Sequence, residues 1–513
     1  MPASGSVRAP RSDHYDLIII GSGAGGGTLA AALADTGARI LIIERGEAVP
    51  SEPENWSPEA VWKYLRYRTT DRWLDEKGEL FQPYTHYNVG GNTKFWGSVL
   101  YRLRREDFGE VRHADGVSPA WPIAYETLEP YYARAEQMYH VHGEVGHDPT
   151  EPPRGPWPQA PIPHAPNMSS VVAQLKGMGL HPSPLPLGLV QPGEAGGCVL
   201  CNTCNSFPCR LRKKSDAEVC AVIPATAHAN VELLTGAYAR RLLTDAAGRR
   251  VEAVEVEHAG EVLTLRAPFI VSSCGAVHSA ALLLRSATER HPDGLANSSG
   301  LVGRRYMAHL ATMMQGFHPL RVNGDVFQKT VAVNDFYLSN PETGYPLGQI
   351  QSQGRTHGVM AQIVVPWIPL WAYDAWVARG VDWLVMSEDL PNPDNRVTVE
   401  RDGRIRLTYA PNNERAHEEL VRRFTRVLKQ LGFWKVMAYS HRTRNTTHQC
   451  GTLVFGTDPK TSVLDTFCRT HDIDNLFVVD ASFFPSSAAV NPGLTIIAQA
   501  LRVADHIRAE HLR

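Results

Sequence analysis

Three stretches carry residue types at spacings that could do chemistry. The first is "GSGAGG", with Gly21, Gly23 and Gly26 in the order G-x-G-x-x-G. Glycines so spaced allow a tight turn and let a pyrophosphate approach the backbone at a helix N-terminus. Glu44 ends the next apolar run, where it can accept hydrogen bonds from the ribose hydroxyls of an adenosine. Its negative charge would repel a 2′-phosphate, which argues against NADP. The glycines alone do not decide between NAD and FAD. The second stretch is "SSAAVNPGLTI", 486–496. Asn491 suits a helix N-cap and Pro492 the first helical position. Leu494, Ile497, Ala498, Leu501, Ala504 and Ile507 follow at helical spacing. Such a helix start is either an ordinary capped end or a positive pole aimed at something electron-rich. The third is "CVLCNTCNSFPC", with Cys198, Cys201, Cys204 and Cys209 spaced C-x2-C-x2-C-x4-C. That spacing is close to zinc and iron–sulfur ligand patterns but misses the ferredoxin run, whose last gap is x3. We read it as a packed loop without metal.

Positioning these residues requires a particular frame. "YDLIII" (Tyr15–Ile20) and "RILIIE" (Arg39–Glu44) are apolar, β-branched runs suited to strands buried on both faces. Between them "TLAAALADTG" predicts a helix stopping at Gly37, which completes one βαβ unit. Further strands are predicted at 230–236, 269–276 and 475–482, and a hairpin over 395–409 about Asp402-Gly403. Residues 151–166 hold seven prolines, which excludes helix and central strand and predicts an extended surface crossing.

The chain has 513 residues, 43% of them hydrophobic, enough for a substantial core in two to three domains. A formal net charge of −2 gives no footprint for nucleic acid. The basic run "RRFTRVLKQ" (Arg422–Gln430) reads as the solvated face of a helix. No apolar run approaches a membrane span, and "MPASGSVRAPRSDH" lacks the apolar core of a secretory signal, so a cytoplasmic enzyme is expected. Trp367, Trp371, Tyr373 and Trp376 form an aromatic patch that reads as core, with a platform for sugar rings as the other possibility.

Four stretches together resemble the glucose–methanol–choline (GMC) flavoprotein oxidoreductases: "DLIIIGSGAGGGTLAAALA", "NVGGNTKFWG" (Asn88–Gly97), "SSCGAVHSAALLLRS" (Ser272–Ser286), and the tail from "THQCGT" to "NPGLTI". They span nearly the whole chain. The resemblance implies an α/β, α+β overall, architecture: a Rossmann-like FAD-binding domain interleaved with an antiparallel-sheet substrate domain. We place the first in 12–110, 195–310 and 445–513, the second in 311–444, and a connecting and covering segment in 111–194. It also implies FAD as cofactor. By resemblance, Gly21, Gly23, Gly26, Glu44, Arg45, Gly91, Asn92, Thr93, Ala237, Gly275, Ala276, Asp480, Ala481 and Pro492 meet it. Asp480 reads otherwise as a loop or cap carboxylate. Phe95 stands where covalently tethering relatives have a histidine, so FAD is expected to be non-covalent. His448, otherwise an unremarkable histidine before a Gly-Thr turn, would be the base facing the substrate hydroxyl, opposite Asn491.

"EDFGEVRHADGVSPAWPIAYETLEPYY", "LLTGAY" and "HPDGLANSSGLVGRRYM" are similar to bacterial pyranose oxidases and C-glycoside 3-oxidases. The expected activity is oxidation of a secondary hydroxyl, C2 or C3, of a pyranose or glycoside to a ketone. Hydride would pass to the flavin, and oxygen or a quinone-like acceptor would reoxidise it. Rival readings are oxidation of an amino-sugar or other natural-product alcohol, a lyase with non-redox flavin, and an electron-transfer subunit. The sequence leaves the sugar, the acceptor and the oligomeric state open.

Overall fold

The computed structural model describes residues 9–512, apart from 340, 442 and 443. The first eight residues of the segment tested for a secretory signal therefore lie outside the described residues. Strand β1 (Leu17–Ile20), helix α1 (Ala24–Leu33) and strand β2 (Ile40–Ile43) follow the expected βαβ order. A short 3-10 turn extends α1 to Thr36, and Gly37 closes it at φ 78°, a left-handed conformation that glycine adopts without a Cβ penalty.

β1 and β2 lie inside a five-stranded parallel sheet ordered Val231–Leu234, β2, β1, Phe269–Ser272, Leu476–Val478. Its strands come from both ends and the middle of the chain. Every residue of β1 and β2 is buried, as their unbroken apolar runs require of strands covered on both faces. Helix α2 (Ala276–Arg285) follows the fourth of these strands, and helix α3 (Gly493–Glu510) packs on α1 and on the helix Tyr125–Met138. All six apolar positions predicted for α3 are buried.

A second, antiparallel sheet of six strands runs in the order Lys435–His441, Leu310–Phe317, Gly380–Ser387, Gln349–Ser352, Val331–Val333, Pro182–Pro184. The helix Glu414–Gln430 covers it with Ala416, Leu420, Phe424 and Leu428, while Arg422 and Arg426 on its other side stay exposed. Phe424 meets Trp383 edge to face at 5.1 Å, and burying such a ring contributes about 1.5–3 kcal/mol. The hairpin pairs Val397 with Leu407 as predicted. Residues 151–165 form no helix or strand, and Pro166 opens the next helix.

Two local expectations fail. Asn491 does not cap α3: Pro492 occupies the cap position, Gly493 is the first helical residue, and no side chain caps the end. The Asn491 amide is turned toward His448 instead, at 3.4 Å. The aromatic patch is not core throughout. Trp376 stacks on Phe317 at 3.8 Å, but Trp367 and Trp371 are 79% and 73% exposed. They lie on the connection between two short helices, Gly358–Val364 and Leu370–Val377, and at the start of the second, outside the sheet.

Candidate active site

The dinucleotide turn is built from backbone, and its glycines do different work. Gly21 has φ 104°, and a Cβ there would meet the Ser273 carbonyl oxygen at 2.3 Å. A Cβ on Gly26 would meet the Gly21 carbonyl oxygen at 2.1 Å, so this glycine lets α1 close onto the turn. Gly23 differs: a Cβ would meet nothing within 4 Å, so its backbone borders open space. Two glycines that hold the turn and one whose backbone stays uncrowded are what a pyrophosphate at a helix N-terminus requires. Gly25, which the motif does not single out, is the most confined glycine of this turn, with the Val479 carbonyl oxygen 1.8 Å from the position of a Cβ.

Glu44 lies beside this turn, buried. One carboxylate oxygen accepts from the Ser22 amide (3.1 Å) and hydroxyl (2.5 Å), the other from the Gly46 amide (3.0 Å). Burial raises its pKa, and these hydrogen bonds oppose the rise. Arg45 is paired bidentately with Asp71 and sandwiched by Tyr87 and Tyr238, with ring centroids at 4.1 and 4.6 Å. Ala237 begins the strand Ala237–Thr244 and donates its amide to the Glu44 carbonyl at 3.0 Å.

The loop Asn88–Gly97 lies over the turn. Gly90 donates to Ser22 Oγ at 3.0 Å, and a Cβ on Gly91 would stand 3.3 Å from Gly23 Cα. Thr93 ties the loop down by bonding the Gly90 carbonyl and the Ala217 amide, while Asn92 Oδ1 accepts from the His86 amide. Beneath it, Lys94 forms a buried pair of salt bridges with Asp216 (3.0 Å) and Glu218 (2.5 Å).

On the other side, Gly275 (φ 85°) precedes Ala276, the first residue of α2, and again faces open space. Asp480 braces this region. Its Oδ2 accepts from the Gly275 amide and the Ser279 hydroxyl, and its Oδ1 from the amide and hydroxyl of Ser482. Each oxygen serves two protein donors, so the carboxylate also caps the short turn Ala481–Phe483. Burial raises its pKa.

The corner that holds the expected base, His448, is built from side chains. Met307 and Cys450 form an antiparallel bridge, with amide–carbonyl bonds of 3.0 Å in both directions. Two residues after Met307 and two before Cys450, that antiparallel register sets His309 opposite His448. The rings meet edge to face, and their Nδ1 atoms are 2.8 Å apart. On the far side, His448 Nε2 faces Asn491 Nδ2 at 3.4 Å. Among the described residues, the buried Asn491 Oδ1 has no hydrogen-bond partner. Burial first, then His309 and Lys329, lower the His448 pKa to about 3. The expected base is therefore an uncharged imidazole well below its ordinary range, not a group poised near 6.5.

The structure thus brings His448 and Asn491 together and gathers Gly21, Gly23, Gly26 and Gly91 at one turn, with Ser273, two residues before Gly275, against Gly21. Sequence reasoning missed His309, which lies in no motif, and Lys329. The Lys329 ammonium is buried and has no carboxylate partner among the described residues; it donates to the Gly97 carbonyl at 3.0 Å and Asn205 Oδ1 at 2.9 Å. Burial lowers its pKa to about 7. The cysteines of the cluster are unpaired. Among the described residues no group of three or more His, Cys, Asp or Glu is arranged to hold a metal ion.

Family models for GMC oxidoreductases match residues 85–311 and 391–500, and one for an FAD-binding domain matches 16–58. The chain belongs to the GMC oxidoreductase family. It is 32% identical to 6'''-hydroxyparomomycin C oxidase of Streptomyces lividus and 31% to paromamine 6'-oxidase of Streptomyces fradiae. Each match covers 97% of this chain and 92% of the relative. The fructose dehydrogenase large subunit of Gluconobacter japonicus is 27% identical over 96% of this chain and 97% of its own. Among solved structures, pyridoxine 4-oxidase shares the fold at a TM-score of 0.66 and 20% identity, over 97% of this chain and 100% of that one. As a GMC protein, the chain is an FAD-dependent oxidoreductase, and the open backbone at Gly23 and Gly275 fits that cofactor. Among the described residues, no helix is long and apolar enough to cross a membrane.

Proposed function

We propose that the protein oxidises a hydroxyl of an amino sugar or aminoglycoside to the carbonyl, with His448 as base and Asn491 as the group that holds the reacting oxygen. The observation that carries this is the His448–Asn491 pair, 3.4 Å apart, with an unpartnered amide oxygen beside it. A carbinol loses hydride readily only as its hydroxyl loses a proton. His448 Nε2 accepts that proton, and the Asn491 amide donates to the oxygen as charge develops on it. FAD, held along 12–110, 195–310 and 445–513, supplies the hydride acceptor. Oxygen or a quinone-like acceptor would reoxidise it.

Two relatives named for aminoglycoside oxidation match over nearly the whole chain. They favour an amino-sugar substrate over a simple pyranose or C-glycoside oxidised at C2 or C3, which becomes the second reading. Anaerobic mixing with paromamine, glucose and a C-glycoside separates them. Flavin bleaching fastest with the aminoglycoside is expected; bleaching only by neutral sugars overturns the substrate assignment. No bleaching by any alcohol, with turnover of a cyanohydrin, would instead support the lyase reading. Phe95 offers no nucleophile for a tether, so acid precipitation should leave FAD in the supernatant; yellow protein pellets would refute non-covalent binding.

A further inference from the structure

The two histidines meet through their Nδ1 atoms, and one proton lies between them. Which ring carries it decides whether His448 can act as a base at all. If His309 donates, the proton of neutral His448 lies on Nε2, toward the substrate, and the lone pair is wasted on the interior.

The far end of His309 resolves the choice. Its Nε2 lies 3.2 Å from the main-chain carbonyl oxygen of Ser487. A carbonyl only accepts, so this nitrogen must bear hydrogen. His309 is 2% exposed, and burial lowers its pKa, so the ring is neutral with a single proton. That proton is committed to Ser487, which leaves His309 Nδ1 as an acceptor. His448 must then donate from Nδ1, and its Nε2 keeps the lone pair. The opposite arrangement would set a bare nitrogen against a carbonyl oxygen inside the protein, at the cost of an unmade buried hydrogen bond.

The anchor is itself fixed. The Ser487 hydroxyl accepts from the Asp389 amide at 3.1 Å and donates to the Asp389 carbonyl at 2.9 Å. Ser487 stands four residues before Asn491, so one short segment closes the chain at both ends: its carbonyl receives the His309 proton, and its amide side chain faces the lone pair of His448. On the other side, Asn445 Nδ2 donates to the His309 carbonyl at 3.1 Å, fixing the backbone from which the ring projects.

We propose that His309 is a positioning residue that fixes the tautomer of His448, keeping the Nε2 lone pair turned to the substrate hydroxyl. This rests on the reading of His448 as the base. When His448 takes the substrate proton on Nε2, its Nδ1–H still donates to His309, so the imidazolium forms without breaking the chain of hydrogen bonds. The electron pair of the O–H bond stays on the substrate oxygen.

The direct test is a long-range proton–nitrogen NMR spectrum of the FAD-loaded enzyme with nitrogen-15 histidine, His448 being assigned by its loss in His448→Asn. At neutral pH the expected pattern is a protonated Nδ1 and a bare Nε2. The reverse pattern overturns the proposal, and the parent protein alone suffices to see it. A pair of variants adds the kinetic side. His309→Leu removes the acceptor and should slow flavin reduction by about 10²-fold or more with FAD retained. His309→Gln offers an amide oxygen to His448 and an amide N–H to Ser487, and should recover the rate to within about tenfold of the parent. A parent rate in His309→Leu, or a His309→Gln rate no better than that of the leucine variant, would also overturn it. If His448→Ala itself reduces at the parent rate, the assignment of the base fails, while the spectrum still decides the tautomer.

Discussion

The glycine turn and the His448 corner lie in one molecule but are made in opposite ways. The turn is a local object: Gly21 to Gly26, one strand before and one helix after, with close contacts between backbone atoms. The corner is assembled from three distant segments, around 309, 448 and 487–491, and depends on side-chain nitrogens and a single proton. Backbone crowding tolerates no side chain but hydrogen. A side-chain chain of hydrogen bonds tolerates substitutes that donate and accept in the same places. The first should therefore break as a unit, and the second should degrade in graded, chemically readable steps.

The largest effect is expected at the turn. Gly25→Ala drives a methyl group into the Val479 carbonyl, 1.8 Å from where its Cβ must lie, so α1 and the strand Leu476–Val478 have to separate. Purified protein should lack FAD and melt well below the parent; full flavin occupancy would show the turn more pliable than its geometry implies. At the corner, His448→Ala should slow anaerobic flavin reduction by roughly 10²–10⁴-fold with FAD still bound. Loss of FAD in that variant would erase the contrast between the two regions. Asn491→Ala should cost about 10²-fold in reduction, the scale of one donor at a developing oxyanion. Because this asparagine caps nothing, its melting temperature should match the parent, and a drop typical of a lost cap would restore the capping role.

The smallest expected effect concerns pH. A lowered pKa leaves His448 uncharged, and so competent as a base, at every pH above its folded value of about 3. Its ionisation therefore gives the reductive rate no acid limb at the ordinary imidazole value. Between pH 8 and 5.5 that contribution should change by less than about twofold, with loss only as the pH approaches the folded value. Stopped-flow reduction across that range checks it. A half-maximal rate near pH 6.5 that disappears in His448→Ala would show that the imidazole is less buried than the structure makes it.

Much of the frame was legible beforehand because its signals are short in range. Unbroken β-branched runs at 17–20 and 40–43 mark strands covered on both faces, and Gly37 marks the stop of the intervening helix. The hairpin about Gly403 and the proline crossing announce themselves through backbone limits alone. The exposed Trp367 and Trp371 misled, since hydrophobicity states a preference for burial without stating whether neighbours arrive to provide it.

The sequence by itself determined the βαβ glycine turn, because glycine spacing and helix starts act over a few residues, and its motifs pointed to the family, whose resemblance implied His448 and Asn491 as a candidate pair. Only the tertiary structure decided what surrounds those groups. It turned Asn491 from the helix end to face a histidine, surrounded Asp480 with four donors, drove the His448 pKa down, and brought His309 to its side. The physical reason is that hydrogen-bond direction and desolvation depend on which atoms meet across the chain. The antiparallel register of Met307 with Cys450 sets that meeting, and no local pattern encodes it.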